Sequence, residues 1–482
     1  MFNLGSLSFN IFSIILMICV VFRILQDNNK KSQYMFFLLI AIILDVSQIQ
    51  GYFIRIAGKE VSYEDAYMAF FLIYSLIQLK YIKIERRLFF FSFCLFAIGI
   101  IGIFNEFIVP LPNKIINSDA FGGWDYYVSG LTSKTIVKIN YMRFLLIYLR
   151  LLEYCVVALI LKNTYSFSDY KNIIVKLIPW SKFVIYYGLV EFAFKNILKS
   201  AFLSKVNEFV LGIGNNTFAF GEKRMGLYVL QGLTREQSHY ALSLFFAIVF
   251  LFIYYKKLKK HHSLVFVFYC SLAIAFMVLS GAFSALVYIS IILVMLFLFD
   301  KKVVYRTEVY LKLVFVLAIS VFLFSLLLLL FKSLDDSYYA ERFLRIIDNF
   351  SLIVNNTWKG KISAYSEIVR FVSIFDTLRD FCNRPIFGLG CGVEWAHSGI
   401  VSMLSSIGIL GSYFWWRISL FSKQRKTFNV LMVILVILPN LLCGSIDMML
   451  SPVVLIFLNN DLFSVTDLSN KRKISYEYSL YY

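Results

Sequence analysis

The stretch QSHYALSLFFAIVFLFIYY, residues 237–255, contains no Asp, Glu, Lys or Arg and runs directly into KKLKK at 256–260. As an α-helix it would extend about 28 Å, close to the thickness of a bilayer's hydrocarbon core. Stretches of this kind recur along the chain and, with the basic clusters that end them, decide the fold class. The 482 residues are 60% hydrophobic and 16% charged, with a mean hydropathy of +0.75, far from the composition of a soluble domain. Such apolar runs exceed the strands of a membrane β-barrel, which need about ten residues. Only 6 prolines and 23 glycines exclude a collagen-like or Pro/Gly-rich disordered chain. The expected fold is all-α, a polytopic integral membrane protein. The formal charge of +18, from 47 basic and 29 acidic residues, follows from where Lys and Arg sit and requires no nucleic-acid partner.

Apolar segments read at 7–25, 34–54, 64–80, 88–109, 140–161, 172–194, 237–255, 263–280, 282–299, 309–331, 397–416, 428–443 and 448–464, about 13 transmembrane helices. The basic connections Lys30–Lys31, Lys80–Arg87, Lys256–Lys260, Lys301–Arg306, Arg417–Lys426 and Lys471–Lys473 all fall on one side of these spans, which the positive-inside rule makes cytoplasmic. Met1 to Asn10 then lie outside, and because they lack the basic segment of a cleavable signal peptide the first span is expected to be retained. Five parts follow: an N-terminal transmembrane bundle 1–194, an outer loop 195–236, central helices 237–331, a long outer loop 332–396, and C-terminal helices with a cytoplasmic tail 397–482. A further outer connection covers 110–139. No fixed-period repeat or matched pair of broken helices, the pattern of many transporters, is present. The seven cysteines include no C-x-x-C, so no metal is expected. Cys382 and Cys391 share the long outer loop, either as a disulfide or as free packing residues.

Within that loop, Ser363, Ser366, Glu367, Arg370, Ser373, Thr377 and Asp380 form one polar stripe at helical spacing, predicting an amphipathic helix along the membrane surface. Arg370, at its centre, faces solvent or a bound anion, or pairs with Glu367 one turn earlier. Asn383-Arg-Pro-Ile-Phe-Gly-Leu-Gly-Cys-Gly392 breaks this helix. The next span opens with His397-Ser398 and carries Gly408 and Gly411. In a continuous helix His397 and Gly408 share a face, and the two glycines admit a second helix. A histidine at a helix N-terminus is favoured as the neutral ring, able to accept a proton. The alternative is a capping or lipid-interface histidine.

His397-Ser398-x9-Gly408-x-x-Gly411, preceded by Pro385-Ile-Phe-Gly-Leu-Gly390 and Arg370, resembles the bacterial O-antigen polymerase and O-antigen ligase family, as does Gly232-Leu-Thr-Arg-Glu-Gln-Ser238 followed by Ala241. The resemblance covers roughly 220–415. It departs from the family where a Ser-Arg pair is often found, since this chain reads Leu279-Ser-Gly-Ala-Phe-Ser284.

The resemblance implies a glycosyltransferase of the bacterial inner membrane, working at the periplasmic face on undecaprenyl-diphosphate-linked oligosaccharides as donor and acceptor, without cofactor or metal. It implies polymerisation of repeat units into O-antigen or capsular polysaccharide. Ligation of the polymer to lipid A core is the alternative within the family, and flipping of lipid-linked units is the alternative outside it. A chain-length regulator and membrane lipids are the remaining expected partners. Such a transfer needs cations on the departing diphosphate and a base for the attacking hydroxyl. Arg370 and Arg224 suit the first demand, His397 the second.

Glu236 either orients the acceptor or favours a helix N-terminus, where Thr234 and Gln237 read as a capping box. Arg143 and Arg150, seven residues apart in one span, line a face suited to a diphosphate path, whereas Arg150 with Glu153 at i, i+3 reads equally as an ion pair. Arg384, beside Pro385, completes the substrate-binding candidates. Asp45 and Glu191 await interior partners, and His261 and His262 fall in a basic cytoplasmic loop. Topology is tested by labelling engineered cysteines in spheroplasts with a membrane-impermeant reagent: a cysteine at Lys359 is expected to react and one at Lys259 to stay protected, and the reverse pattern would overturn the orientation.

Overall fold

The computed structural model describes residues 2–108, 141–212, 223–299, 373–421 and 436–457, apart from short breaks at 5–6, 27–28, 57–58, 225–226, 235, 259–263, 375–376, 392–395 and 443–445. In chain order the elements are β1 Phe2–Leu4, β2 Leu7–Phe9, α1 Ile11–Gln26, α2 Lys30–Ser47, β3 Ile54–Ile56, β4 Lys59–Val61, α3 Tyr63–Leu79, α4 Arg86–Ile108, α5 Tyr141–Thr164 and α6 Phe167–Phe192. There follow α7 Phe202–Leu211, β5 Lys223–Arg224, β6 Leu227–Tyr228, α8 Gln237–Phe252, α9 Leu264–Leu279, α10 Phe283–Phe299, α11 Gly399–Ser419, α12 Leu438–Leu442, α13 Ile446–Met449 and α14 Pro452–Phe457. The chain is mostly helical.

Among the described residues three helices are long and apolar enough to cross a membrane, Phe167–Ile197, Gln237–Tyr255 and Gly399–Ser419, and shorter apolar helices lie at Ile11–Gln26, Leu264–Leu279, Ser284–Leu296 and Asp447–Phe457. The expected segments 110–139 and 309–331, and most of the 332–396 loop, lie outside the described residues. The exterior bears out the apolar reading: Ile18, Phe22, Leu25, Phe89, Phe93 and Leu264 are exposed, a surface suited to lipid. The stretch 237–255 has a different setting. In α8 every residue from Tyr240 to Phe252 is buried, with α2, α6, α9 and α10 packed around it. It is the central helix of the bundle.

The helix starts follow local chemistry. Asn29 caps α2 by accepting from Lys31 N and Ser32 N, and Ser62 caps α3 by accepting from Asp65 N. Ser166 and Asp169 form a capping box at α6. Lys31 Nζ lies 2.6 Å from the Asp169 carboxylate, which also accepts from Ser166 N and Ser166 Oγ.

The all-α expectation needs correction. Strands β1 to β4 form an antiparallel sheet in that order, with Phe2 opposite Phe9, Leu7 opposite Ile56 and Ile54 opposite Val61; β5 and β6 form a hairpin. Three-residue strands are too short to show alternation, and Ile54 extends the apolar run of α2, which in fact stops at Ser47 with Gln48 in the left-handed region. Asn10 ties the sheet to the bundle. Its amide donates to Tyr52 O and to Leu211 O (3.0 Å), while its Oδ1 accepts from Ser13 N, Ser13 Oγ and Tyr63 Oη (2.9, 2.9 and 2.7 Å). Asn10→Ala leaves several buried groups without this partner, at about 1–3 kcal/mol for each unsatisfied one. Thermal unfolding should show a clear loss of stability, and an unchanged midpoint would contradict the role of Asn10 as a tie.

Candidate functional site

The quoted motif segments Pro385–Gly390 and Gly408–Gly411 lie against each other. Leu389 N and Gly390 N donate to Ser405 O and Ser406 O (2.7 and 2.9 Å), and Ile409 N and Leu410 N donate to Pro385 O and Ile386 O (2.8 and 3.2 Å). These bonds are possible because α11 is interrupted at Gly408, with φ +64° and ψ −173°. A Cβ there would lie 2.2 Å from Ile386 O. The expectation of one continuous helix sharing a face between His397 and Gly408 is therefore replaced by a break, and the element admitted is irregular backbone, not a second helix. Gly102 of α4 closes the other side, since a Cβ on it would lie 2.7 Å from Gly390 N. Irregular backbone is tolerated within an apolar bundle only where the protein satisfies its hydrogen bonds, as these four do.

His397 stands just before this helix. Ser398 is the N-cap, accepting from Val401 N (3.3 Å) and donating to Asn440 O (3.2 Å). His397 is thus not the capping residue. Its Nδ1 lies 3.1 Å from Ser373 Oγ, and its backbone N–H donates to the same oxygen (3.3 Å). The helical stripe of the preceding loop faces inward over its described part, because Ser373, Thr377 and Asp380 are all buried. A solvated surface stripe was one expected alternative. Instead these three are buried, and Ser373 meets the histidine.

Arg370 lies outside the described residues. Arg384 is half-buried; its N–H donates to Phe381 O and its carbonyl accepts from Gly388 N (3.0 and 3.1 Å), which frames the turn before Pro385. Cys382 is exposed and Cys391 buried, and both thiols are free. Burial, with the Asp447 charge adding to it, pushes the Cys391 thiol up to about 12, so Cys391 is a packing residue and not a thiolate nucleophile.

The second motif stretch is held by Glu191. Its carboxylate pairs with Lys195 at 2.7 Å and accepts from Gln231 N and from Gly232 N, the latter at 2.7 Å. Gly232 has φ +63°, the left-handed region that favours glycine. Lys195 lies in a π-helical segment, Ala193–Ile197, where Asn196 also brackets the backbone of Tyr228. The segment continues onto the end of α2, as Gln50 N donates to Leu233 O and Ile49 bridges Thr234. The expected capping box is absent: Thr234 Oγ1 donates to Gln231 O and Glu236 O, and Glu236 itself is the N-cap of α8. Glu236 is exposed and accepts from Ser238 Oγ at 3.2 Å. Arg224 belongs to β5.

Arg150 is buried in α5 with carboxylates from three other helices. Asp45 lies 3.4 Å away, Glu64 2.5 Å, Asp65 3.6 Å and Asp447 3.5 Å. Its ion pairs therefore close between helices and not with Glu153 along α5. Of the two readings of Arg150, the ion pair is the one the structure displays, with partners on other helices. Arg143 lies on α5 seven residues before it. Sequence reasoning missed Glu64, Asp65 and Asp447 as its partners; Glu64 and Asp65, next to one another at a span start, were the available signal. Glu191 and Lys195 likewise show i, i+4 spacing. Among the described residues no group of three or more His, Cys, Asp or Glu is arranged to hold a metal ion.

Compared with known protein families, curated proteins and solved structures, the chain matches none. Gly408→Ala places a methyl group on the Ile386 carbonyl, so it should separate residues 385–390 from α11. Limited proteolysis of the purified protein is expected to show new cleavage at 385–390, and an unchanged digest would contradict the interlock.

Proposed function

We propose that the chain is a metal-independent membrane glycosyltransferase of about thirteen spans that polymerises undecaprenyl-diphosphate-linked oligosaccharide repeat units into O-antigen or capsular polysaccharide. It works at the outer face of a bacterial inner membrane. The observation that carries this reading is His397, held by Ser373 of an inward-facing polar stripe at the start of a helix locked in place by the Pro385–Gly390 backbone. A half-buried histidine whose Nδ1 lies beside a buried serine hydroxyl has the form of a positioned base.

In the proposed transfer the acceptor hydroxyl oxygen bonds to the donor's anomeric carbon while the bond from that carbon to the diphosphate oxygen breaks. The hydroxyl proton passes to the His397 imidazole. The departing diphosphate takes up the electron pair, and arginine stabilises it by bidentate donation. Arg370 is three and seven residues before Ser373 and Thr377, the spacing of one helical face, so the inward turn of that stripe supports its assignment to the diphosphate. Arg224 is the second cation and Arg384 a further candidate. Glu236 is the reserve base, and Arg143 keeps its place near the lipid path.

The test is chain extension and donor binding by the purified protein. His397→Ala is expected to slow extension by about 10² to 10⁴ with donor binding retained. Arg370→Ala or Arg224→Ala should lose donor binding, with Lys restoring only part because it lacks the bidentate fork. Normal extension by His397→Ala would remove the base and the mechanism with it.

A further inference from the structure

Among the described residues around Arg150 the acids outnumber the bases. Asp45 from α2, Glu64 and Asp65 from α3, Asp447 from α13 and Glu153 from α5 itself surround one guanidinium. Glu153 stands apart from the other four. It is 4% exposed and has no hydrogen bond or ion pair among the described residues, yet it lies within electrostatic range of Asp45, Arg150 and Glu64. We infer that this cluster is a proton-binding site, with Glu153 as its innermost member, opening toward the end of the bundle that carries the β1–β4 sheet.

One guanidinium cannot balance five carboxylates, and uncompensated charge inside an apolar bundle is costly. The deficit has to be met by a metal, an organic cation or protons. No described group of three or more acidic side chains is arranged for a metal ion; Arg150 stands among them instead. A proton needs no room at the closed position of Glu153. It has a route, since the side chains of Asp65 and Asp447 are 28% and 31% exposed while those of Glu64, Asp45 and Arg150 are progressively more buried at 17%, 11% and 7%.

Among the described residues, the other elements packed on α5 bring no competing charge. Tyr34 of α2 and Tyr67 of α3 also lie within electrostatic range of Glu153, and α14 has no ionisable side chain. Arg86 and Arg87 start α4 beside the far end of α5, where Glu85 N donates to Asn163 Oδ1. Arg417 of α11 stacks on Phe91 and Tyr413. Asp447 is also in electrostatic reach of Cys391, next to Gly390.

The experiment is the unfolding midpoint of the purified full chain in neutral detergent from pH 6 to 9. A folded state that keeps protons the unfolded state releases loses stability as pH rises, its unfolding constant growing by up to about tenfold per pH unit for each proton kept. The wild-type midpoint should therefore fall toward pH 9. Glu153→Gln mimics the protonated acid and should flatten the slope and raise the midpoint at pH 9; Asp45→Asn, which also removes a partner of Arg150, should flatten the slope at a lower midpoint. Asp169→Asn, outside the cluster, should leave the alkaline slope unchanged. A Glu153→Gln slope equal to wild type overturns the inference; if that variant does not fold, the slope of Asp45→Asn decides in the same way. Restoration of the wild-type midpoint at pH 9 by millimolar sodium, calcium or spermidine also overturns it, because a cation then supplies the charge.

Discussion

The guanidinium of Arg150, buried among apolar helices, cannot be left without counter-charge, and the structure is arranged to provide it. Asp45 reaches it from the end of α2, Glu64 and Asp65 from the start of α3, and Asp447 from α13. Asp45 in turn accepts from Ser451 Oγ at 2.7 Å, drawing the approach to α14 into the same contact. Removing one partner from a buried pair typically costs about 3–5 kcal/mol, so four helices share one constraint. Nonpolar packing of α5 alone, period-neutral as it is, would leave their axial positions far less defined.

Next to that centre lies the second constraint, the break at Gly408. Four backbone hydrogen bonds between 385–390 and 405–410 need a residue that adopts φ +64° and has no Cβ against Ile386 O. The two quoted motif segments are thus one structural device, and their product is a helix start whose position is fixed from below by the break and from above by Ser398 and Ser373. His397 inherits that fixity. This is the physical content behind assigning it a proton-transfer role: a base contributes to catalysis when its geometry is set before substrate arrives.

Much of this was legible in the sequence, and the remainder was not for identifiable reasons. The 237–255 stretch gives a helix of the expected bounds, but hydropathy does not separate a lipid-facing helix from one enclosed by four others, which is what α8 is. The stripe that includes Ser373, Thr377 and Asp380 was open in direction in the sequence, since periodicity names a face without naming what it meets, and these three residues are buried. Glu191 could be seen to need partners; that they are Lys195 and the backbone of Gly232 required the π-helical turn. The four carboxylates that pair with Arg150 all come from positions distant in sequence, as with Glu64 at a separation of 86, and no local pattern pairs them. The small sheet escaped because three-residue strands carry no period.

The glycosyl-transfer reading is tested most directly by the surface polysaccharide of a strain lacking this chain, resolved by repeat number on a gel. The account predicts loss of every band above one repeat unit, restored by the wild-type chain and not by His397→Ala at equal protein level. A complete ladder in the deletion strain, or loss of all repeats including the first, would contradict polymerisation and place the chain at another step.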